Sequence, residues 1–206
     1  MALELGNEQE RPQPLRVRTY GDPVLRRKAP PVDEITQAVR DLAARMIVTM
    51  YENEIRGVGL AAPQVGVSLR LITLATHDPD EPIPPNASPG ERMLSPRMPI
   101  ALINPEIVKA SSAMEEAVEG CLSIPEVQGG VCRPASVVVK ALTLGGQTIQ
   151  AECGGLLGRC LQHEIDHLDG ILFVDRWREV DSMAHGTQLR AIEKKAIRSA
   201  SGGRRS

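Results

Sequence analysis

The sequence predicts an α+β fold: mostly antiparallel strands packed around a central helix carrying a HExxH pattern, with an N-terminal helix and a C-terminal helix. Three observations predict it. Apolar residues after Asp33 recur at helical steps. Several segments between 100 and 152 read as strands, two of them separated by a Gly-Gly turn signal. A second helical pattern then follows, with His163 and His167 one turn apart.

Residues 1–14 are polar and contain Pro12 and Pro14, which predicts a flexible N-terminal arm. Asp33 supplies a cap for a helix over about 34–54, whose Ile35, Val39, Leu42, Met46, Ile47 and Met50 form one apolar stripe. Gly57 and Gly59 interrupt that pattern, and Leu69–Ala75 reads as a short strand. His77–Pro99 holds seven prolines among acidic and small residues. That composition predicts an exposed insertion loop that packs no core. Segments 100–108, 113–119, 136–144 and 147–152 read as strands, with Gly145-Gly146 turning the last pair. Leu156, Leu157, Cys160, Leu161, Ile165 and Leu168 give a helix over about 156–168 its apolar side, and Gly170 stops it. A final helix over about 182–199 precedes a fraying end at Gly202–Ser206. The expected division is an arm (1–14), one catalytic domain (15–182) and a C-terminal helix with a basic tail (183–206).

Of 206 residues, 42% are apolar, enough for a core of ordinary size. The four aromatics (Tyr20, Tyr51, Phe173, Trp177) are too few for base-stacking platforms. A net charge of −2 supplies no global field toward nucleic acid or anionic lipid. Met1–Gln13 lacks an apolar segment, so no signal peptide is expected, and no run approaches a membrane span. Cys121, Cys132, Cys153 and Cys160 form no CxxC pair. The expectation is a cytoplasmic protein with reduced thiols and no membrane partner.

The sharpest signal is His163-Glu164-Ile165-Asp166-His167. On a helix the two imidazoles converge on one cation, and Glu164 reaches a water on it. A catalytic divalent metal takes three protein ligands and keeps one open position, so a third ligand is required. Position 173 is Phe, so the longer pattern with a third downstream His is absent. The cysteines are candidates, with Cys132, Cys153 and Cys160 reading first as small hydrophobes. Cys121 sits in Glu119-Gly120-Cys121-Leu122-Ser123, where Gly120 permits close backbone approach. A third motif, Gly57-Val58-Gly59-Leu60-Ala61-Ala62-Pro63-Gln64, lacks the Lys-Ser/Thr of a phosphate loop. It offers small residues and an amide donor.

With these three segments in this order, the chain resembles the peptide deformylases over roughly residues 16–176. Tyr20–Arg26 and Asn104-Pro105 extend the likeness. The resemblance implies removal of the formyl group from the N-terminal formyl-methionine of newly made proteins. It implies Cys121, His163 and His167 as metal ligands, Glu164 as general acid/base, and Gln64 with the Leu122 N–H as oxyanion donors. Its implied substrate contacts are Val58, Gly59, Leu60, Glu119, Gly120, Leu156 and Cys160, with the peptide added as an extended strand. Ala117 is a further wall candidate for the methionine pocket. Arg159 departs from an apolar wall and is expected to cover it with its stem. Glu126-Val127-Gln128-Gly129 has no Arg before Arg133, where several members carry one. Gln162 and Asp166 flank the ligands and are candidates for orienting them.

The implied cofactor is one divalent ion, Fe(II) in the cell. A two-His, one-Cys set also suits zinc, nickel or cobalt. Two alternatives are a general HExxH metalloprotease and a non-catalytic metal-binding protein. The basic residues Arg190, Lys194, Lys195, Arg198, Arg204 and Arg205 read as a solvated face, and the ribosome is a candidate partner for it.

Overall fold

Strand pairing, more than helix packing, sets this architecture. The computed structural model describes residues 11–53, 56–177 and 179–202; for 179–183 and 199–202 it describes the backbone alone. Five antiparallel strands form one sheet: β1 (Gly59–Ala61), β2 (Leu71–Leu74), β3 (Ile100–Ala110), β6 (Ser136–Thr143) and β7 (Thr148–Gly154), in that order. Two further strands, β4 (Met114–Cys121) and β5 (Ile124–Pro134), form a separate hairpin sheet. The α+β class is therefore the observed one.

Side-chain alternation buries both faces of the larger sheet. Ile72, Leu74, Leu102, Val137 and Val139 pack with α3 (Gly155–Leu168). Leu71, Ala101 and Ile103 pack on the other face with Val39, Ala43, Met46 and Met50 of α1 (Gln37–Glu52). The helix cap differs from expectation. Thr36, not Asp33, accepts from the Val39 N–H, at 3.4 Å. Asn104 ties both backbone groups of Val32 to β3, so the chain turns into the helix later.

Part of the expected 77–99 loop is helical, and Gly90, Leu94, Ser95 and Met98 within it are buried. Ser88-Pro89-Gly90-Glu91 makes a capping box that starts α2 (Pro89–Leu94), with the Ser88 N–H 2.8 Å from Glu91 Oε2. Leu94 and Met98 enter the core, and Gly90 packs against Cys153 of β7. Proline at the first helical position favours such a turn, so proline content alone misjudged the segment. Residues 78–86 are largely exposed.

β5 lies outside the strands read from local pattern, because Pro125, Gly129 and Gly130 argue locally against one. It forms because β4 pairs with it in register, Ala117 opposite Val131 and Glu119 opposite Gly129. Gly129 also leaves space for Trp177, whose ring would lie 2.3 Å from any Cβ there. The remaining predicted strands and α3 differ from those observed only at their ends.

A third cluster, Leu25, Ile124, Val127, Val131 and Phe173, receives Leu189 and Ile192 of α4 (Glu179–Gly202). This helix runs through the boundary expected at 182/183. Residues 1–10 of the expected arm and 203–206 of the expected frayed end, including Arg204 and Arg205, lie outside the described residues. Residues 11–14 are exposed but tied to α1: Arg11 pairs with Glu52 at 2.9 Å and Arg45 donates to Gln13 O. Among the described residues no helix is long and apolar enough to cross a membrane.

A Cβ at Gly90 would lie 2.3 Å from Cys153 Sγ and 2.9 Å from Glu152 O. Gly90→Ala should therefore lower stability by about 1–3 kcal/mol, read as a fall in the urea midpoint; an unchanged midpoint would mean that α2 does not bear on β7.

Candidate metal centre and active-site groove

α3 places His163 and His167 four residues apart on one face, with their Nε2 atoms 3.2 Å apart. The register shift between Gly120 and Cys121, at the end of β4, turns Cys121 toward them. Its Sγ lies 3.3 Å from His167 Nε2, and all three donor atoms lie within 4.8 Å of one another. Tetrahedral bonds of about 2.0–2.3 Å imply donor separations of roughly 3.3–3.7 Å. The triad is thus spaced to share one cation. His163 Nδ1 is 2.9 Å from Glu119 Oε2. A carboxylate only accepts, so Nδ1 carries the hydrogen and Nε2 is the donor atom turned toward a cation.

Three carboxyls nearby have different surroundings. Glu119 is buried and saturated. Its Oε1 accepts from Arg133 Nε at 2.6 Å and Arg159 Nη1 at 2.9 Å; its Oε2 accepts from Arg133 Nη2 and His163 Nδ1, both at 2.9 Å. Burial pushes this carboxyl up, but hydrogen bonds from Arg133 and His163 outweigh it and hold Glu119 far below the usual range. Glu164 is equally buried, and its Oε2 has no partner among the described residues. Burial raises its pKa to about 7. Asp166 binds Arg133 at 2.7 Å and is gripped by Arg176. It reaches the donors only through Arg133 and Glu119. Gln162 donates to Pro134 O and Gly158 O, both at 3.1 Å, so it braces α3 against β5 rather than touching a donor.

Gln64 sits in the short helical turn after β1. Its Oε1 accepts from the Ala61 N–H at 2.8 Å, which fixes the amide's orientation. Nε2 therefore faces Cys121 Sγ at 3.3 Å and Ser123 Oγ at 3.2 Å. Gly59 is required beside it, since a Cβ there would lie 2.4 Å from Glu164 Oε1 and 2.6 Å from Cys160 Sγ.

Gly59, Gln64, Cys121, His163 and Glu164 open onto one groove of about 550 Å³, whereas His167 is buried and does not line it. Of the sequence-derived contact set, Val58, Gly59, Glu119, Gly120, Leu156 and Cys160 line it, as does Leu122, expected as an oxyanion donor. Leu60 does not: its side chain is fully buried in the core between α1 and the sheet. Ala117 is not among the lining residues either. Val58, Leu156 and the unforeseen Val118 are 42%, 51% and 68% exposed, an apolar rim unusual for free surface. Burial pushes the Cys160 thiol well above its ordinary value and Cys153 up to about 12, so both remain protonated and suit packing. Sequence reasoning also missed Arg133, Ser123 and His185. Ser123 lay inside a quoted motif and was legible; Arg133 and His185 carry no local signal.

A triad of cation donors, two of which line an apolar groove, with a neutral-leaning carboxyl and an oriented amide beside it, is the equipment of a metal-dependent hydrolase, not of a closed structural site. Comparison with known proteins narrows this class. A profile described as polypeptide deformylase matches residues 14–183. A peptide deformylase of Natranaerobius thermophilus is 47% identical over 165 residues, covering 80% of this chain and 93% of its own. The crystal structure of the Thermotoga maritima peptide deformylase aligns with a TM-score of 0.67 at 38% identity, covering 81% of this chain and 99% of that one. A Synechococcus elongatus peptide deformylase, solved in complex with actinonin, aligns with a TM-score of 0.72 at 37% identity, covering 87% and 89%. The chain belongs to the polypeptide deformylase family, metal-dependent hydrolases that remove the N-terminal formyl group from nascent peptides. Neither the general protease nor the non-catalytic alternative finds support in these matches.

Without a cation, burial lowers the basicity of His163, but hydrogen bonds to Cys121 and Glu119 raise its pKa further, to about 10. A cation at Nε2 must expel that proton, so binding releases protons and apparent affinity falls as pH falls. Competition with a chelator between pH 6 and 9 should show affinity rising by at least about tenfold per pH unit, one proton leaving His163 and a thiol proton leaving Cys121 wherever it is still bound. A flat profile would remove His163 from the donor set.

Proposed function

We propose that Cys121, His163 and His167 hold one divalent cation, and that Glu164, Gln64 and the Leu122 N–H carry out hydrolysis of the formyl amide beside it. The supporting observation is the buried Glu164 carboxyl, poised near neutrality within one groove with Cys121, His163 and the Gln64 amide. When bound, a divalent cation would polarise the formyl oxygen and lower the pKa of a water toward about 7. Glu164 accepts the proton of the attacking water and returns it to the leaving amine; a pKa near 7 suits both transfers. Gln64 Nε2, held by the Ala61 contact, and the Leu122 N–H donate to the oxyanion.

Substrate binding follows from the walls. Val58, Leu156 and Cys160, joined by Val118, take the methionine side chain. β1 is an edge strand of its sheet, so an extended formyl-methionyl peptide adds to it through the backbone of Gly59 and Leu60. Glu119 and Gly120 line the same groove, Glu119 acting on His163 rather than on substrate. Thiolate and imidazole ligands suit Fe(II), the ion we assign in the cell, and equally zinc, nickel or cobalt in isolated protein. We assign the enzyme to the cytoplasm, with residues 15–182 as its catalytic unit. The 183–206 helix and tail supply a basic face, including exposed Arg190, Lys194 and Arg198, for contact with the ribosome.

The test is formate release from a formyl-methionyl tripeptide by protein loaded with Fe(II) without oxygen. Glu164→Gln should keep its metal and lose about 100- to 10,000-fold in kcat; Gln64→Ala should lose about 100- to 1000-fold; Cys121→Ala should fail to hold the ion. Metal-loaded parent protein that releases no formate, or a Glu164→Gln variant of parental rate, would overturn this reading.

A further inference from the structure

We infer that Arg159 is a positioning and specificity residue: its guanidinium clamps the β4–β5 hairpin and Glu119 against α3, while its stem forms part of the wall facing the methionine side chain. The specificity half rests on the function proposed above; the positioning half stands on the fold alone.

The three cation donors come from two bodies. His163 and His167 belong to α3, and Cys121 to β4, whose hairpin shares no strand pairing with the five-stranded sheet. Cross-ties between hairpin and helix therefore decide how far Cys121 lies from the two imidazoles. Arg159 makes three of them. Lying one turn before His163 on the same face of α3, it donates from Nη1 to Glu119 Oε1 at 2.9 Å and to Val131 O at 3.0 Å, and from Nη2 to Glu115 O at 2.8 Å. It thus grips both strands of the hairpin and the carboxylate that orients His163. Its side chain is only 13% exposed, so these bonds are largely shielded from water. A planar fork makes these bonds from two nitrogens in fixed directions, whereas an ammonium has all its donors on one nitrogen.

The same anchoring sets what the groove sees. Arg159 lines it between Leu156 and Cys160. With the head committed to carbonyls and carboxylate, the methylenes are what remains to form wall. An arginine here therefore presents an apolar surface of fixed depth, although its charge would suggest a polar lining.

Two substitutions separate the roles. Arg159→Met keeps an apolar stem and loses the clamp. In Co(II)-loaded protein it should shift the cobalt–thiolate absorption, weaken the metal about 10- to 100-fold against a chelator, and speed amide exchange in β4 and β5. Its preference for formyl-methionyl over formyl-alanyl peptides should stay within about twofold. Arg159→Ala loses both parts and should show the same metal loss, with that preference reduced about tenfold. Arg159→Lys should move each metal readout in the same direction by less, and serves if the Met variant does not fold. Parental absorption, affinity and exchange in Arg159→Met would overturn the clamp. An unchanged preference in Arg159→Ala would overturn the wall. Parent protein inactive on both peptides would instead sink the proposed function and the specificity half, leaving the metal readouts to judge the clamp.

Discussion

The Glu119 carboxylate is the joint on which this site depends. Two arginines and one imidazole place four donors on its two oxygens, and they come from α3 and β5. Arg133 extends the joint to Asp166, one turn of α3 beyond Gln162, and Arg176 closes it. A buried ionic cluster of this kind adds little net stability, since desolvation offsets attraction. Removing one member is another matter, at about 3–5 kcal/mol, because an unpaired charge is left inside. The consequence of the cluster is geometric: it sets the orientation of His163 and the approach of the hairpin carrying Cys121.

Two glutamates so close together behave oppositely for one physical reason. Glu119 is fully hydrogen-bonded and stays ionised despite burial. Glu164 is buried without a partner for Oε2, and its proton is held to about pH 7. The first is a fixed charge that orients; the second is a group that can take up and give back a proton at neutral pH. Burial alone would have raised both. The number of donors supplied by the surrounding fold separates them.

The groove shows the same division of labour. Gly59 removes a side chain where Glu164 and Cys160 need the space, and the Ala61 N–H settles which end of the Gln64 amide faces Cys121. Val58, Val118 and Leu156 remain exposed around it, and their exposure is consistent with an apolar side chain being received there.

Much of this was readable from short-range pattern. The HExxH helix and most strands follow from spacings of a few residues, which local geometry fixes; the Gly57–Gln64 and Glu119–Ser123 motifs take their roles from the resemblance to the peptide deformylases. The capping box at Ser88–Glu91 was equally readable but was masked by a proline-rich composition. β5 was not readable, because Pro125, Gly129 and Gly130 oppose a strand locally and only pairing with β4 and packing against Trp177 overrule them. Nor was the burial of Leu60, or the role of Arg133, which meets Glu119 across 14 residues and Asp166 across 33. The sequence by itself determined that His163 and His167 could bind a cation and Glu164 move a proton, and its resemblance to a family singled out Cys121 among the cysteines. The tertiary structure decided which carboxyl would stay charged and which side chains would reach the groove, because solvent exclusion and ion pairing arise only when distant segments close on one another.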